Sequence, residues 1–157
     1  MIADSGTRRE FDSGAVRDVA EGKGRCDLLP LDIVTDVLTE GKNDVTDCMA
    51  LFMQTGAEKY LYDALYAFCA FRHWSVETML LEVAVHFEEG ANKYAERNWE
   101  KGIPAHCYVD SAVRHYLKFR ACKSDERHDR AFCWNILCLL WTLRHLPAMN
   151  DLPEVHQ

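Results

Sequence analysis

The segment HDRAFCWNILCLLWTLRHL, residues 128–146, constrains the fold of this chain more than any other stretch. Its apolar residues cover almost the whole circumference of a helix, which is typical of a helix buried at the centre of a protein. Pro147 follows directly and predicts the end of that helix, because proline cannot continue the helical hydrogen bonding. The segment therefore predicts a buried central helix.

Other segments also carry helical patterns. Apolar residues recur with a helical period in residues 107–121. Ser75 is typical of a helix start, and Gly90 interrupts the pattern near the end of that helix. Residues 44–73 predict either one interrupted helix or two short ones, with the break near Gly56.

The chain has 157 residues, which is long enough for one domain with a substantial core. A further helix is expected between Pro30, which can open one, and Gly41, which can close it. No segment alternates convincingly as a strand, so the predicted fold is an all-α helical bundle.

Composition divides the chain into three parts. Residues 1–24 are polar and predict a flexible N-terminal arm, with a short helix possible near residues 15–22. A shift in composition at Arg25 marks the start of an all-α domain over residues 25–146. The polar residues 147–157 predict a loose C-terminal tail.

The charge of the chain limits the classes of function that it can have. A net charge of −7 and a pI near 5.4 argue against nucleic-acid binding and suit a protein that holds cations with carboxylates. No apolar run approaches the ~20 residues that span a membrane, and no signal sequence is visible, so a cytoplasmic protein is expected. The seven cysteines include no CxxC pair, which favours reduced, partly buried thiols over a zinc site.

Two predicted helices carry charged stripes. Glu82, His86, Glu89 and Lys93 follow the i, i+4, i+7, i+11 spacing of one helix face. Such a stripe can hold a divalent cation and a phosphate, or it can be a solvated face with charge pairs.

The helix over 107–121 places Asp110 and Arg114 at i, i+4, with His115 and Lys118 beside them. The Asp–Arg pair is either a surface ion pair or a metal-binding acid beside a cation that meets phosphate oxygens.

The buried helix contains a polar anomaly and begins with an acidic loop. Asn135 lies among bulky apolar residues, so its amide needs a partner, either within the core or in a ligand. Upstream, Asp125, Glu126, His128 and Asp129 gather at the helix start, where carboxylates can bind metal or stabilise the helix dipole.

Four segments of the chain form a recognisable set. In order they are GRCDLLP (24–30), LEVAVHFEEGANKYAERNWEKG (81–102), YVDSAVRHYLKF (108–119) and HDRAFCWNILCLL (128–140). They resemble the phage and bacterial dATP/dGTP diphosphohydrolases, relatives of the MazG-like all-α nucleotide pyrophosphatases. The chain departs from that pattern at Ser111, where the family usually has Ala, and at Ala131, where it often has His. Residues 40–74 look like an insertion.

The resemblance implies a MazG-like bundle completed by oligomerisation, as a dimer or tetramer. It also implies Mg²⁺- or Mn²⁺-dependent hydrolysis of a purine (d)NTP, dGTP or dATP, between the α and β phosphates, giving the monophosphate and pyrophosphate. The expected metal ligands are Glu82, Asp110, Asp125, Glu126 and His128. The expected phosphate-contacting catalytic residues are Lys93, Arg114 and His115. The expected substrate-binding residues are Arg25, Asn98, Trp99 and Asn135.

Two alternatives stay open. The His128–Asp129 dipeptide, with His115 and Asp151 available as further ligands, allows an HD-type dNTP triphosphohydrolase. If the charged stripes are only solvated faces, the chain is an all-α protein-interaction module.

Overall fold

The computed structural model describes residues 6–19, 26–29 and 44–154. Within these ranges the chain forms a β-hairpin and five α-helices, which confirms the predicted all-α class with one small addition. The strands are β1 (Arg8–Glu10) and β2 (Val16–Asp18). The helices are α1 (Asp44–Thr55), α2 (Lys59–Arg72), α3 (Val76–Tyr94), α4 (Ala105–Arg120) and α5 (His128–His145). Three 3-10 turns cover Cys26–Leu28, Asn98–Lys101 and Pro147–Met149.

Helices α4 and α5 form the centre of the bundle. Most of α5 is buried, as its apolar circumference predicts. The two helices run antiparallel, because the end of α4 meets the start of α5: the rings of Tyr116 and Phe132 lie 5.6 Å apart. Pro147 follows the last turn of α5 and opens a 3-10 turn there, so the predicted helix end is confirmed.

Helices α1 and α2 are the two short helices that residues 44–73 predict. The chain breaks at Gly56, whose φ of 67° is a left-handed conformation that glycine adopts at little cost. Phe68 of α2 is fully buried, and its ring lies 4.7 Å from that of Phe132 on α5. This contact ties the α1–α2 pair to the central helices.

Helix α3 begins at the predicted residue but differs from the expectation near its end. Its N-cap is Ser75, whose hydroxyl accepts a hydrogen bond of 3.1 Å from the main-chain N–H of Thr78, as predicted. Gly90, however, does not interrupt the helix, which continues to Tyr94. One glycine inside a helix costs only about 1 kcal/mol relative to alanine, which a 19-residue helix tolerates.

The described part of the N-terminal segment is a hairpin and not the short helix expected near residues 15–22. The strands pair antiparallel with Arg8 opposite Asp18, and Gly14 turns the chain with φ of 78°. Ala15 is fully buried, so the hairpin packs on the bundle instead of extending freely from it. The helical expectation is wrong because these residues bond to partners far along the chain, which no local pattern reveals.

The C-terminal segment also differs from the loose tail expected, over the residues that the structure describes there. Asp151 accepts a 2.9 Å hydrogen bond from the main-chain N–H of His106, at the start of α4. Leu152 packs against the core. The tail therefore folds back on the bundle.

Some expectations fall on undescribed residues: the helix between Pro30 and Gly41, Arg25, and the start of the 40–74 segment all lie outside the described ranges. The described remainder of that segment is α1 and α2, which contribute to the core. None of the helices within the described ranges is both long and apolar enough to cross a bilayer.

Candidate active site

A cavity of about 1120 Å³ lies between the hairpin, α3, the 98–101 turn, α4 and α5. Such a volume can enclose a nucleotide-sized ligand. Aromatic rings form one part of its wall: Trp99 lies 5.5 Å from Phe87 and 4.9 Å from Trp141, measured between ring centroids. Trp134 lines the same cavity and lies 5.8 Å from Phe87. Flat apolar faces of this kind suit a nucleobase.

Ligand atoms that could hold a metal ion lie at a second part of the wall, which His115 and Glu126 line with His128 buried behind them. One such atom each from His115, Glu126 and His128 lies within 4.8 Å of the other two. The Nδ1 atoms of the two histidines are 3.0 Å apart, and a Glu126 oxygen is 3.5 Å from Nδ1 of His115. Two imidazole nitrogens that face each other at this distance must share either a proton or a cation.

Neighbouring groups favour the metal-binding form of this cluster. Nε2 of His128 lies 2.9 Å from Oδ1 of Asp125, a pairing that fixes the ring and leaves Nδ1 toward the cluster. Hydrogen bonds from His128 and Lys118 hold the pKa of Asp125 well below its usual range. Burial, helped by the neighbouring His128, holds the pKa of His115 well below its usual value, so this imidazole is neutral at pH 7.

Cationic side chains lie beside the cluster. Arg114 donates a hydrogen bond to Asp110 one turn earlier on α4, and Lys118 donates to Asp125 at 3.1 Å. All four residues line the cavity, and the carboxylate of Asp110 is only 8% exposed. The site residues expected from the sequence include Asp110, Arg114 and Asp125, and the structure brings these three together around one cavity.

Asn135 lines the cavity and has partners on both sides of its amide. Its Nδ2 donates to the main-chain oxygen of Ala131 at 2.8 Å. Its Oδ1 accepts a hydrogen bond of 3.1 Å from Nη2 of Arg17, which also donates to Ser111 Oγ at 2.9 Å. Arg17 comes from the hairpin, so the anomaly in α5 is explained by a partner from the other end of the chain.

Asn98 and Lys93 also hold the hairpin. Asn98 receives a 3.0 Å hydrogen bond from the main-chain N–H of Val16 and donates one of 2.8 Å to its carbonyl, as a neighbouring strand would. Lys93 pairs with Asp18 at 2.8 Å, and Tyr94 donates to the same carboxylate at 3.0 Å. Asn98 lines the cavity, whereas Lys93 is not among the lining residues.

The structure places Glu82 away from the other predicted metal ligands. Its carboxylate accepts a 2.6 Å hydrogen bond from Arg130 and one of 3.2 Å from Arg127, and it does not line the cavity. The stripe of α3 is therefore divided: Glu82 binds arginines at the start of α5, His86 lines the cavity and Lys93 binds the hairpin.

The ligands of an HD-type centre are not assembled among the described residues. Asp129 accepts hydrogen bonds from Arg127 at 3.0 Å and Arg72 at 3.3 Å, and Asp151 binds the start of α4. Neither carboxylate belongs to the cluster that His115 and its neighbours form.

Several lining residues are absent from the site residues that the family resemblance implies. The chief ones are Arg17, Ser111, His86 and Trp134. His86 was visible in the stripe of α3, and Trp134 lies next to Asn135, so both had a local signal. Arg17 had none, because only the folded hairpin brings it to the cavity.

The dATP/dGTP diphosphohydrolase, N-terminal, family model matches residues 54–152, more than half of the chain. The fold and cavity described above thus belong to a member of this family, and the chain is assigned to it. The family name implies a hydrolase that acts on dATP and dGTP. The matched range begins within the 40–74 segment and excludes the hairpin. No curated protein and no solved structure matches the chain.

Proposed function

We propose that this chain hydrolyses a purine deoxynucleoside triphosphate between the α and β phosphates, releasing the monophosphate and pyrophosphate with the help of Mn²⁺ or Mg²⁺. Family membership supports the substrate class. The observation that carries the reaction type is that an imidazole–carboxylate cluster, the cations Arg114 and Lys118 beside it, and an aromatic wall meet at one cavity.

The donor set fits a divalent cation. His115, Glu126 and His128 would hold it, with Asp110 and Asp125 the other carboxylates on the same wall. Imidazole nitrogens beside a carboxylate suit Mn²⁺ better than Mg²⁺, which prefers oxygen ligands and water. A bound ion of this kind polarises a phosphoryl group and lowers the pKa of a coordinated water.

Arg114 and Lys118 can balance the negative charge of the substrate. A triphosphate carries about four negative charges at neutral pH and must enter a protein whose net charge is −7. Arg114 and Lys118 line the cavity beside the cluster, where they can bind phosphate oxygens and stabilise the leaving pyrophosphate. The pairing of Arg114 with Asp110 orients the guanidinium before substrate arrives.

Product analysis tests this proposal directly. Purified protein is incubated with each dNTP and with Mn²⁺, Mg²⁺ or a chelator, and the products are separated by ion-exchange chromatography. Monophosphate and pyrophosphate, formed only with metal, are expected. Nucleoside and triphosphate would instead establish the HD-type reaction, and no turnover of any nucleotide would leave an interaction module.

A matched pair of variants tests the metal site. Glu126→Gln and Glu82→Gln remove the same charge, but only Glu126 belongs to the cluster. We expect Glu126→Gln to lower turnover and Mn²⁺ affinity at least tenfold, since a ligand is lost. Glu82→Gln should retain both within about twofold. Equal losses in the two variants would place the metal between Glu82 and the cluster and refute the assignment.

The proposed oligomer, a dimer or tetramer, rests on the resemblance to MazG-like proteins. Exposed apolar residues on α3, among them Leu80 at 48% and Leu81 at 71% exposure, are compatible with burial against a second copy. Light scattering at several protein concentrations measures the assembly size.

A further inference from the structure

Four buried polar atoms on residues of the cavity wall have no hydrogen-bond partner within the part of the chain that the structure describes. One is Nε of Arg9, and the other three, which lie close together around the Trp134 ring, are Nη1 of Arg17, Nδ1 of His86 and Nε1 of Trp134. All three side chains line the cavity, and His86 is only 8% exposed. The Trp134 ring lies 5.7 Å from that of His86 and 6.0 Å from the Arg17 guanidinium carbon. Buried polar atoms are rarely left unpaired, so a group of three at one cavity indicates a ligand that pairs with them.

Arg17 is the most firmly placed of the three. Its Nη2 donates to Ser111 at 2.9 Å and to Asn135 at 3.1 Å, which leaves Nη1 for another acceptor. The guanidinium also lies over the ring of Tyr108, 5.3 Å from its centre. A guanidinium held on one side in this way presents its remaining N–H groups in a fixed geometry.

The hydrogen-bonding character of these atoms defines the ligand. Arg17 and Trp134 can only donate, so the ligand edge must carry acceptors. Guanine offers two adjacent acceptors, O6 and N7, whereas adenine offers N7 beside an amino group that donates. We propose that Arg17 reads the purine edge of the substrate at N7 and O6, so that the site prefers guanine to adenine. This inference rests on the proposed function and deepens it.

The aromatic residues support a base at this position. Trp134, Trp99 and Phe87 line the same cavity. The ring centroid of Phe87 lies 5.5 Å from that of Trp99 and 5.8 Å from that of Trp134. A purine can stack on such faces while its edge reaches Arg17. Because these atoms are buried in the structure, the proposal requires small rotations of the side chains around Arg17 on binding, of a kind that ligands commonly cause.

A phosphate is the competing acceptor. Phosphate groups are better served by Arg114 and Lys118, which lie beside the metal-binding cluster. Burial lowers the pKa of His86 to about 4, so the imidazole next to Trp134 is neutral at pH 7. A neutral imidazole suits an uncharged base edge better than it suits a phosphate.

The test measures binding by calorimetry with chelator present, so that no hydrolysis or metal ligation contributes. The probes are dGMP, dAMP, 7-deaza-dGMP, which lacks the N7 acceptor, and pyrophosphate. We expect dGMP to bind wild-type protein about tenfold or more tightly than dAMP or 7-deaza-dGMP. Equal affinity for dGMP and 7-deaza-dGMP would overturn reading through N7.

Substitutions then assign the preference to Arg17. Arg17→Met should abolish the preference for dGMP and leave pyrophosphate affinity within about twofold. Arg8→Met is the matched control, since Arg8 lies in the same hairpin but does not line the cavity; it should keep the preference. A parallel loss of dGMP, dAMP and pyrophosphate affinity in Arg17→Met would make Arg17 a phosphate ligand and refute the proposal.

Arg17→Lys decides the matter even if Arg17→Met does not fold. Lysine keeps the charge but lacks the planar fork of donors. Loss of the guanine preference with pyrophosphate affinity retained supports base reading, and a retained preference refutes it. If wild-type protein hydrolyses dGTP and dATP equally well, only this inference fails; if it hydrolyses neither, the proposed function fails as well.

Discussion

His86 should make the stability of this protein depend on pH between 4 and 6.5. Burial lowers the pKa of His86 from an ordinary value of 6.5 to about 4, and the nearby Arg130 and Arg17 act in the same direction while Glu89 opposes them. The folded protein therefore keeps His86 neutral above about pH 4. The unfolded chain, whose histidine titrates near its ordinary value, binds a proton in that range.

The sign follows from proton linkage. Between pH 4 and 6.5 the unfolded state binds more protons than the folded state, so the free energy of unfolding falls as the pH is lowered. For this shift the loss is about 3 kcal/mol between pH 7 and pH 4, and about 2 kcal/mol of it occurs between pH 7 and pH 5. A loss of that size is a large part of the stability of a single domain.

Urea unfolding followed by far-UV circular dichroism measures this effect. The protein is studied at about pH 7 and pH 5 with a chelator, so that metal binding to His115 and His128 adds nothing. The His86→Gln variant should show a pH-dependent loss about 2 kcal/mol smaller than that of wild type. The exposed His145, on α5, supplies the control: His145→Gln removes an imidazole from the surface and should keep the wild-type dependence.

One result would refute the reasoning. If wild type and His86→Gln lose the same stability between pH 7 and pH 5, His86 is already protonated in the folded protein. Water would then hydrate Nδ1 of His86, and this unpaired atom would not indicate a ligand.

Three further substitutions test other contacts. Asp129→Asn should lower the free energy of unfolding by about 1–2 kcal/mol, because the 5% exposed carboxylate accepts hydrogen bonds from Arg127 and Arg72, whose side chains are 42% and 38% exposed. Burial alone would raise the pKa of Asp129, but the hydrogen bond from Arg127 lowers it, so wild type should lose this stability as the pH falls below 3.8 and the variant should not. Gly102→Ala should lower the free energy of unfolding by about 1–2 kcal/mol, since φ is 112° and a Cβ would lie 3.2 Å from the Met149 sulfur. An unchanged melting temperature would show that alanine is not strained at this position. Asn98→Ala should speed hydrogen exchange in the hairpin about tenfold while α5 stays protected, because two hydrogen bonds to β2 are lost; unchanged exchange would mean that other contacts hold the hairpin.

The helices could be predicted because their signals are local. The Ser75 cap, the break at Gly56 and the stop at Pro147 each depend on residues within a few positions. The hairpin has no such signal. Its strands are three residues long, and the bonds that position β2 come from Asn98, 82 residues away.

The candidate site could be predicted only where short spacing brings its residues together. Asp110, Arg114 and His115 share α4, His128 opens α5 and Glu126 lies two residues before it, so the contact between the two helices joins them. The stripe from Glu82 to Lys93 meets different parts of the fold at its two ends, because eleven residues of helix rise about 16 Å. Glu82 pairs with Arg130, and Lys93 pairs with Asp18 of the hairpin.

The buried polar residues show what sequence alone cannot decide. The sequence predicts that Asn135 needs a partner in the core or in a ligand, because its amide lies among apolar residues. The family resemblance, in turn, implies that Asn98 and Lys93 contact the substrate. In the structure Val16, Asp18 and Arg17 of the hairpin supply those partners. The same rule then applies one step further, since Nη1 of Arg17 and its two neighbours have no partner among the described residues. Asn135 therefore has its partner within the protein, and the atom that still requires an acceptor from a ligand is Nη1 of Arg17.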